Sequence, residues 1–304
     1  MRRAIGTHID ADACIGCGEC VIVCPSDAIA MKDGVAVVVG AESLECDHCA
    51  AVCPEGAVTV DSVDESVTRL ETVHDADGYV APGEADTAAL VRIMRSRRSC
   101  RNYLDRPVPR AVLEDLVKIG ITAPSGTNSQ LWTFTIVPDR RSVSRLAERV
   151  GAFYRRLNRL AENGMARAVS KVLFKDALGA YYRDYYETVR EGLEEAARGG
   201  RERLFHGAPA AILVGSSPGA SCPQEDALLA TQNILLGAHA MGLGTCLIGF
   251  AVEAIRRDPR IGRAIGLDRG ERIYAVIAVG YPDERYVRPC RRRRIAPRVF
   301  QVAD

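Results

Sequence analysis

Charge bias is the first thing missing from this 304-residue chain: 40 Lys and Arg stand against 39 Asp and Glu, a net charge of +1. A nearly neutral chain is not built to coat nucleic acid or an anionic membrane. Charge is uneven only locally, with eight acidic residues and one Arg between positions 61 and 86 and seven Arg between 285 and 298. The basic run Arg291–Arg294 has no aromatic residues interleaved, so it reads as surface and not as a nucleic-acid groove. An apolar secretory core is also missing from the first 13 residues, and free thiols favour a reducing compartment, so a cytoplasmic location is expected. Between 227 and 252 there is no Asp, Glu, Lys or Arg at all. That stretch is long enough to span a bilayer, yet it carries Gln232, Asn233, His239 and four glycines and has no basic anchor ahead of it. It reads as a buried helix running into a glycine-rich loop, with no membrane contact.

One absence is chemically pointed. Cys14, Cys17, Cys20, Cys24 and Pro25 form the C-x2-C-x2-C-x3-C-P run that bacterial ferredoxins use to hold iron–sulfur clusters. A second run, Cys46, Cys49, Cys53 and Pro54, repeats its last two spacings but has Ser43 where the leading Cys belongs. Seven thiols stand where two four-thiol clusters want eight. Three thiolates spaced by three residues in a tight loop can close on one cluster, while the fourth, followed by a helix-stopping Pro, reaches the other. The expected sets are Cys14, Cys17, Cys20 and Cys53 for a 4Fe-4S cluster, and Cys24, Cys46 and Cys49 with Ser43 for the second. The second cluster is expected either to have three irons, the preferred reading, or to be a 4Fe-4S centre with a non-Cys ligand: Ser43, Glu45 or Asp47. Zinc favours paired C-x2-C units far apart, so a zinc knuckle, like a disulfide framework, fits the spacing poorly.

Residues 1–62 form an internal repeat: each Cys run leads into a short β segment, and Asp33-Gly34 turns between Ile29 and the strand at 35–39. A small pseudo-symmetric ββ/αα module results, in which metal supplies much of the folding energy. Residues 63–86 are polar and acidic, punctuated by Gly78 and Pro82-Gly83, and read as a linker or surface strap. From 87 to 304 the pattern is that of an α+β domain. Helices are expected at 88–96 and 112–122, a strand at 132–137, and central strands at 210–215 and 273–280. An insert at about 141–203 is highly charged and helical, with Tyr181/Tyr185 and Tyr182/Tyr186 as i,i+4 pairs along one helix, packing against a neighbour.

A second constellation is Arg97-Arg98-Ser99-Cys100-Arg101, followed by Ser125, Asn128 and Gln130 in Ala123-Pro124-Ser125-Gly126-Thr127-Asn128-Ser129-Gln130-Leu131-Trp132. Forked guanidiniums with a Ser can grip phosphate, and a loop Asn and Gln can bond the edge of a flat heterocycle. These stretches resemble the R-x-S-x-R and P-S-x-x-N-x-Q-P-W signatures of the nitroreductase family of flavin enzymes, with Leu131 in place of the usual Pro. The stretch 238–249 resembles that family's helix and loop beside the flavin ring, and Gly280-Tyr281-Pro282 with the Arg-rich tail resembles its C-terminal end. With its N-terminal module the chain is similar to ferredoxin-fused nitroreductases. The fold so implied is α+β: a small ferredoxin-like module, then a domain with a central mixed sheet flanked by helices.

The resemblance implies FMN. Arg97, Arg98, Ser99 and Arg101, completed by Arg292 and Arg293, would hold its phosphate and ribityl chain; Ser125, Asn128 and Gln130 would approach the ring or chain. Gly244, Leu247, Ile248 and Gly249 would lie near the ring's reactive edge, a Gly permitting close approach. It also implies a homodimer with FMN at the interface, which would bury 227–252. Flavins handle one or two electrons and clusters pass them singly, so the expected activity is reduction of a small organic substrate, with an aromatic one fitting the insert's tyrosines: a nitro compound, a quinone or an activated alkene. Electrons would enter through the clusters from an external partner protein, or from NADH or NADPH. Two other readings stay open: an FMN-dependent dehydrogenase or desaturase draining a metabolite's electrons into the clusters, and an electron carrier docking through the acidic strap. Cys100, Cys222, Cys246 and Cys290 lack metal spacing and read as packing residues, and His206 and His239 as structural.

Overall fold

The computed structural model describes residues 3–74 and 78–301; positions 75–77 of the expected acidic linker lie outside them. The N-terminal module contains β1 (Arg3–Ala4), β2 (Thr7–Ile9), α1 (Glu19–Ile22), β3 (Ile29–Lys32), β4 (Val35–Val38), β5 (Glu42–Ser43), α2 (His48–Ala51) and β6 (Val58–Val60). They pair antiparallel as three two-stranded ribbons, β1 with β5, β2 with β6 and β3 with β4. Asp33 and Gly34, at φ of +50° and +87°, make the tight turn between β3 and β4, a left-handed pair that matches the twist of a two-residue hairpin. Its small core gathers Cys20, Ile29, Ala36, Cys49, Val58 and Val60.

The joining segment does not hang free. Asp115, wholly buried, accepts hydrogen bonds from the Glu71 backbone N–H at 2.9 Å and from the Thr72 backbone N–H and hydroxyl, both at 2.6 Å. Lys118 donates to the Arg69 carbonyl at 2.8 Å. A carboxylate with this many donors satisfies what burial would otherwise leave costly.

The larger domain follows as α3 (Thr87–Ser96), α4 (Arg110–Gly120), β7 (Trp132–Val137), α5 (Arg140–Glu162), α6 (Gly164–Leu173), α7 (Ala177–Asp184), α8 (Tyr186–Ala197), β8 (Ala210–Ser216), α9 (Pro223–Ala240), β9 (Gly244–Leu247), α10 (Gly249–Arg257), α11 (Pro259–Ala264) and β10 (Arg272–Gly280). The sheet runs β7-β8-β10-β9 with every named pair antiparallel. Among the described residues its parallel component is a single bridge, Ser99 to Thr245. Both faces are covered, which is why β8 and β10 are continuous apolar runs. Ala211 and Leu213 face the core beneath α5 and α10, whereas Ala210, Ile212 and Val214 face α4 and α9. Burial of each large aliphatic side chain here is worth about 1.5–3 kcal/mol. A register shift between Ile273 and Ala275 bends β10 as a bulge does.

The insert is helical, but the tyrosine pairs do not share one helix as expected. The chain breaks at Tyr185, with φ −132°, between α7 and α8. The rings nevertheless meet across the break, Tyr181 with Tyr185 at 6.4 Å and Tyr182 with Tyr186 at 4.8 Å between centroids. Among the described residues no helix is long and apolar enough to cross a membrane.

Candidate functional site

The cysteines converge from both halves of the repeat. Cys14, Cys17, Cys20 and Cys53 line one small cavity with Pro54, Ala57 and Val58. Cys24, Cys46, Cys49 and Ser43 line a second, whose wall also includes Leu44, Glu45 and Asp47. Backbone N–H groups of Ala28, Ala36 and Ala57 point at the sulfurs of Cys24, Cys14 and Cys53 at 3.4, 3.5 and 3.2 Å. Such donors favour thiolate over thiol, and thiolate is the ligating form. Burial pushes the Cys20 and Cys49 thiols up, a penalty that bound iron's charge would offset. Among the described residues no three His, Cys, Asp or Glu converge tightly enough for a single ion. Rings of thiols around a void suit a polynuclear centre better than a zinc ion.

Ser43 is buried and its hydroxyl accepts from the Glu45 N–H at 3.1 Å. Glu45 turns toward Arg3 at 3.6 Å. Burial raises the Asp47 carboxyl above its usual range, with His48 opposing. The His48 ring Nδ1 lies 2.8 Å from the Cys46 sulfur.

At the β9 edge of the sheet, Arg97 and Arg98 line a cavity of 370 Å³ with His239, Gly244, Thr245, Arg285 and Arg288. The bridge to Thr245 fixes Ser99, and the Cys100 N–H donates to the Thr245 carbonyl at 2.8 Å. Burial, then the charges of Arg98 and Arg292, loosen the proton of Arg97. None of the ion pairs among the described residues uses Arg97, Arg98 or Arg292. Three crowded guanidiniums without a counter-ion fit a phosphate. The acidic residue of that wall, Glu284, is committed elsewhere, to the Arg101 N–H at 2.8 Å and the Asn102 side chain at 2.9 Å. Arg101 itself is exposed, as is Arg293. His239 is the wall residue that sequence reasoning set aside; its place six residues before Thr245, in the same helix-to-strand stretch, was the available signal. Burial, then the charge of Arg97, lowers its basicity.

Gly244 has a packing reason: an added Cβ would stand 2.7 Å from the Cys100 side chain. Gly249 differs, because a Cβ there would meet open space. Leu247 is half exposed while Ile248 is buried, its N–H donating to the Val276 carbonyl at 2.8 Å. Burial raises the Cys100 thiol to about 11, so it stays protonated near neutrality and serves packing.

Ser125, Asn128 and Gln130 sit at the other edge of the sheet, just ahead of β7. Thr127, Asn128 and Gln130 have φ of +51°, +50° and +47°, a left-handed run held from behind by Asp226. This buried carboxylate accepts from the Gly126 N–H at 2.8 Å and the Ser129 hydroxyl at 3.3 Å. The Ser125 hydroxyl accepts from the Gln130 N–H at 3.0 Å, and the Gln130 amide donates to Asn128 Oδ1 at 3.0 Å. The Asn128 amide donates to the Glu45 carbonyl at 2.8 Å.

The two halves of the expected flavin site are therefore not brought together within one copy. Trp132 pairs with Ser216, which pairs with Arg272, whereas Thr245 pairs with Val279. The halves occupy opposite edges and opposite ends of the sheet, roughly 25 Å apart at ordinary strand spacing and rise.

Between the insert and α10 lies a cavity of 1480 Å³, lined by Leu157, Leu173, Phe174, Tyr181, Phe250, Leu247 and Gly249. The Tyr154 hydroxyl donates to the Phe250 carbonyl at 3.0 Å and the Tyr181 hydroxyl to Asn158 Oδ1 at 2.6 Å. With both hydroxyls satisfied, the rings offer apolar faces.

Two cysteine-ringed voids, a basic pocket without a counter-ion and an open, glycine-started helix are together the parts of a flavin-dependent oxidoreductase with an iron–sulfur module. Residues 94–281 match the model of the Nitroreductase family, and residues 7–30 match that of the 4Fe-4S binding domain. The chain belongs to the nitroreductase family and carries a 4Fe-4S domain ahead of the shared fold. It is 29% identical over 205 residues to an NADH dehydrogenase of Thermus thermophilus, covering 66% of this chain and 88% of that protein. It is 28% identical over 211 residues to a 4-nitrobenzoate reductase of Nocardioides sp., covering 64% and 81%. The crystal structure of a nitroreductase with bound FMN from Bacteroides fragilis superposes with a TM-score of 0.50 at 20% identity, over 71% of this chain and 98% of that one.

Proposed function

We propose that this protein reduces a bulky, largely apolar organic substrate, a nitro compound, quinone or activated alkene, at an FMN held between two copies of the chain. The observation that carries the reading is the 1480 Å³ cavity, whose lining includes Leu247 and Gly249, the segment whose backbone would border the flavin ring. When bound, FMN supplies hydride or single-electron chemistry.

The chain's own residues do the rest. Arg97, Arg98 and Arg292 neutralise a phosphate, Ser99 is pinned by β9 beside it, and Gly249 leaves room for close approach. The insert helices form one wall of the substrate cavity, and Phe250, Phe174 and the Tyr154 and Tyr181 rings select for apolar and aromatic surface. Of the charges lining this cavity, Glu253 and Arg257 pair with one another, and Lys175 has no ion pair among the described residues, so one cation remains for a polar group of the substrate. The separated half-sites are completed by a second copy, whose Ser125–Gln130 loop meets the first copy's arginine pocket. Leu228 and Leu229, exposed on α9, supply apolar surface for that contact.

The backbone at 69–72 is committed to α4, but the described acidic side chains of the strap stay exposed, so the carrier reading keeps its docking patch. Anaerobically purified protein is expected to contain FMN, iron and sulfide, and to turn over nitroaromatics, quinones or enones. Bleaching by NADH or NADPH alone would place nicotinamide as the donor; bleaching only with a low-potential donor places entry at the clusters. Bleaching by a metabolite, with no reductase turnover, would overturn the direction proposed here. Arg97→Ala with Arg98→Ala removes two charge-assisted contacts, about 3–6 kcal/mol, and is expected to yield protein without flavin. Full flavin content in that variant would refute the phosphate assignment.

A further inference from the structure

The module and the larger domain meet at one chemically specific seam. The Asn128 amide donates to the Glu45 carbonyl at 2.8 Å and reaches the Leu44 carbonyl at 3.4 Å. The Arg3 guanidinium donates to the Asn128 carbonyl and to the Leu44 carbonyl, and pairs with the Glu45 carboxylate. Leu44 and Glu45 lie between Ser43 and Cys46 and form the wall of the second cysteine cavity. The first cavity, lined by Cys14, Cys17, Cys20 and Cys53, has no hydrogen bond to the larger domain among the described residues. The seam therefore joins one particular cluster site to one particular loop, and both loops carry left-handed residues, Glu45 and Asp47 on one side and Thr127, Asn128 and Gln130 on the other. Backbone held in such conformations persists only where its surroundings over-determine it.

We propose that the second, three-cysteine cluster is the electron port to the flavin, and that it serves the flavin whose phosphate is gripped by the partner copy. This rests on the functional reading above, since it needs both cofactors and the two-copy site. Asn128 and Arg3 are positioning residues: they fix the wall of the second cavity against the Ser125–Gln130 loop. Because that loop lies at the edge of the sheet remote from the same copy's arginine pocket, delivery runs from one copy's cluster to the site completed by the other's arginines. In the reductive direction an external low-potential one-electron donor refills the clusters. Full reduction of one flavin would take two single electrons, passed one at a time across the seam that Asn128 and Arg3 hold, and two protons from solvent; each electron would come from a reduced cluster, which would be left oxidised until the donor refills it.

Mixed dimers test this. One copy carries Cys46→Ser with Cys49→Ser and keeps its arginines; the other carries Arg97→Ala with Arg98→Ala and keeps its clusters. Reduced methyl viologen is mixed anaerobically with each dimer, and flavin absorbance, flavin content and iron content are recorded. Homodimers of the cysteine variant are expected to bind flavin but reduce it at least about tenfold more slowly than wild type. Mixed dimers are expected to recover the wild-type rate for their single flavin. Slow reduction in the mixed dimer, or wild-type speed in the cysteine homodimer, overturns the proposal. Protein lacking flavin or iron altogether would instead sink the functional reading, and this inference with it. If the cysteine variant does not fold, Arg3→Ala provides the test with every thiol intact. Its flavin reduction is expected to slow and the EPR signal of the second cluster to change while that of the first does not; an unchanged second signal with an unchanged rate counts against the seam.

Discussion

The two halves of the N-terminal repeat share a spacing but not a chemistry. In the first, Gly16 and Gly18 take the left-handed positions flanking Cys17, with φ of +72° and +77°. In the second, Glu45 and Asp47 hold the corresponding places around Cys46, with φ of +49° and +63°, and Ser43 replaces the leading thiol. Glycine reaches that region at little cost, whereas other residues pay about 1 kcal/mol or more. The first half is thus shaped by its own turn, and the second by what it touches: Glu45 pairs with Arg3, and its carbonyl takes the Asn128 amide. A repeat that departs from its own pattern on one side marks that side as the one facing another part of the molecule.

The strongest way to break the comparison is Gly16→Ala. A Cβ at Gly16 would lie 2.1 Å from the Gly34 carbonyl oxygen, a backbone atom that cannot swing aside, so about 3 kcal/mol or more of destabilisation is expected. Iron content of purified protein checks it: loss is expected from the first cavity before the second.

Ser43→Cys supplies the missing thiol. The second centre is expected to gain an iron and change its EPR signal, with the first unaffected; an iron count and spectrum matching wild type would show that Ser43 is not at the ligand position.

Asp115→Asn weakens the strap rather than either half. It leaves the Glu71 and Thr72 donors with a poorer acceptor, an expected loss of about 1–3 kcal/mol, seen as faster proteolysis near the joint. Burial raises the Asp115 carboxyl, but hydrogen bonds from Thr72, the Glu71 and Thr72 backbone and Lys118 outweigh it, and the net direction is down. Its contribution is therefore complete above the ordinary carboxylate pKa of about 4 and is lost as pH falls through the lower folded value. Acid unfolding of the Asn variant is expected to depend less steeply on pH over that window.

The smallest effect belongs to Asp47→Gly, which gives the second half the first half's solution. Relief of the left-handed strain, set against a more flexible unfolded chain, is expected to leave stability within about 1 kcal/mol of wild type; a loss well beyond that in thermal unfolding would mean that the Asp47 carboxylate itself holds the site.

What was legible in the sequence was whatever is encoded locally. Thiol spacing and the Arg97-Arg98-Ser99 triplet are runs of a few residues, and the strands at 132–137 and 273–280 announce themselves by apolar content. The break at Tyr185 was not visible, because Asp184-Tyr185-Tyr186 contains neither Gly nor Pro and the tyrosine spacing runs through it. Asn128 read as a flavin ligand from its loop; that its amide also reaches Glu45, 83 residues away, depends on how the module folds back. The separation of the half-sites follows from strand order, which no single stretch contains.

The Asp115 clamp bears on kinetic order. A ferredoxin free in solution would deliver electrons at a rate set by its concentration and by competition with other acceptors. On the route proposed above, a module held by a buried carboxylate at one joint and by Asn128 and Arg3 at another would already be at its target, and the transfer would be first order and indifferent to dilution. Only the refilling of the clusters from outside would then depend on encounter.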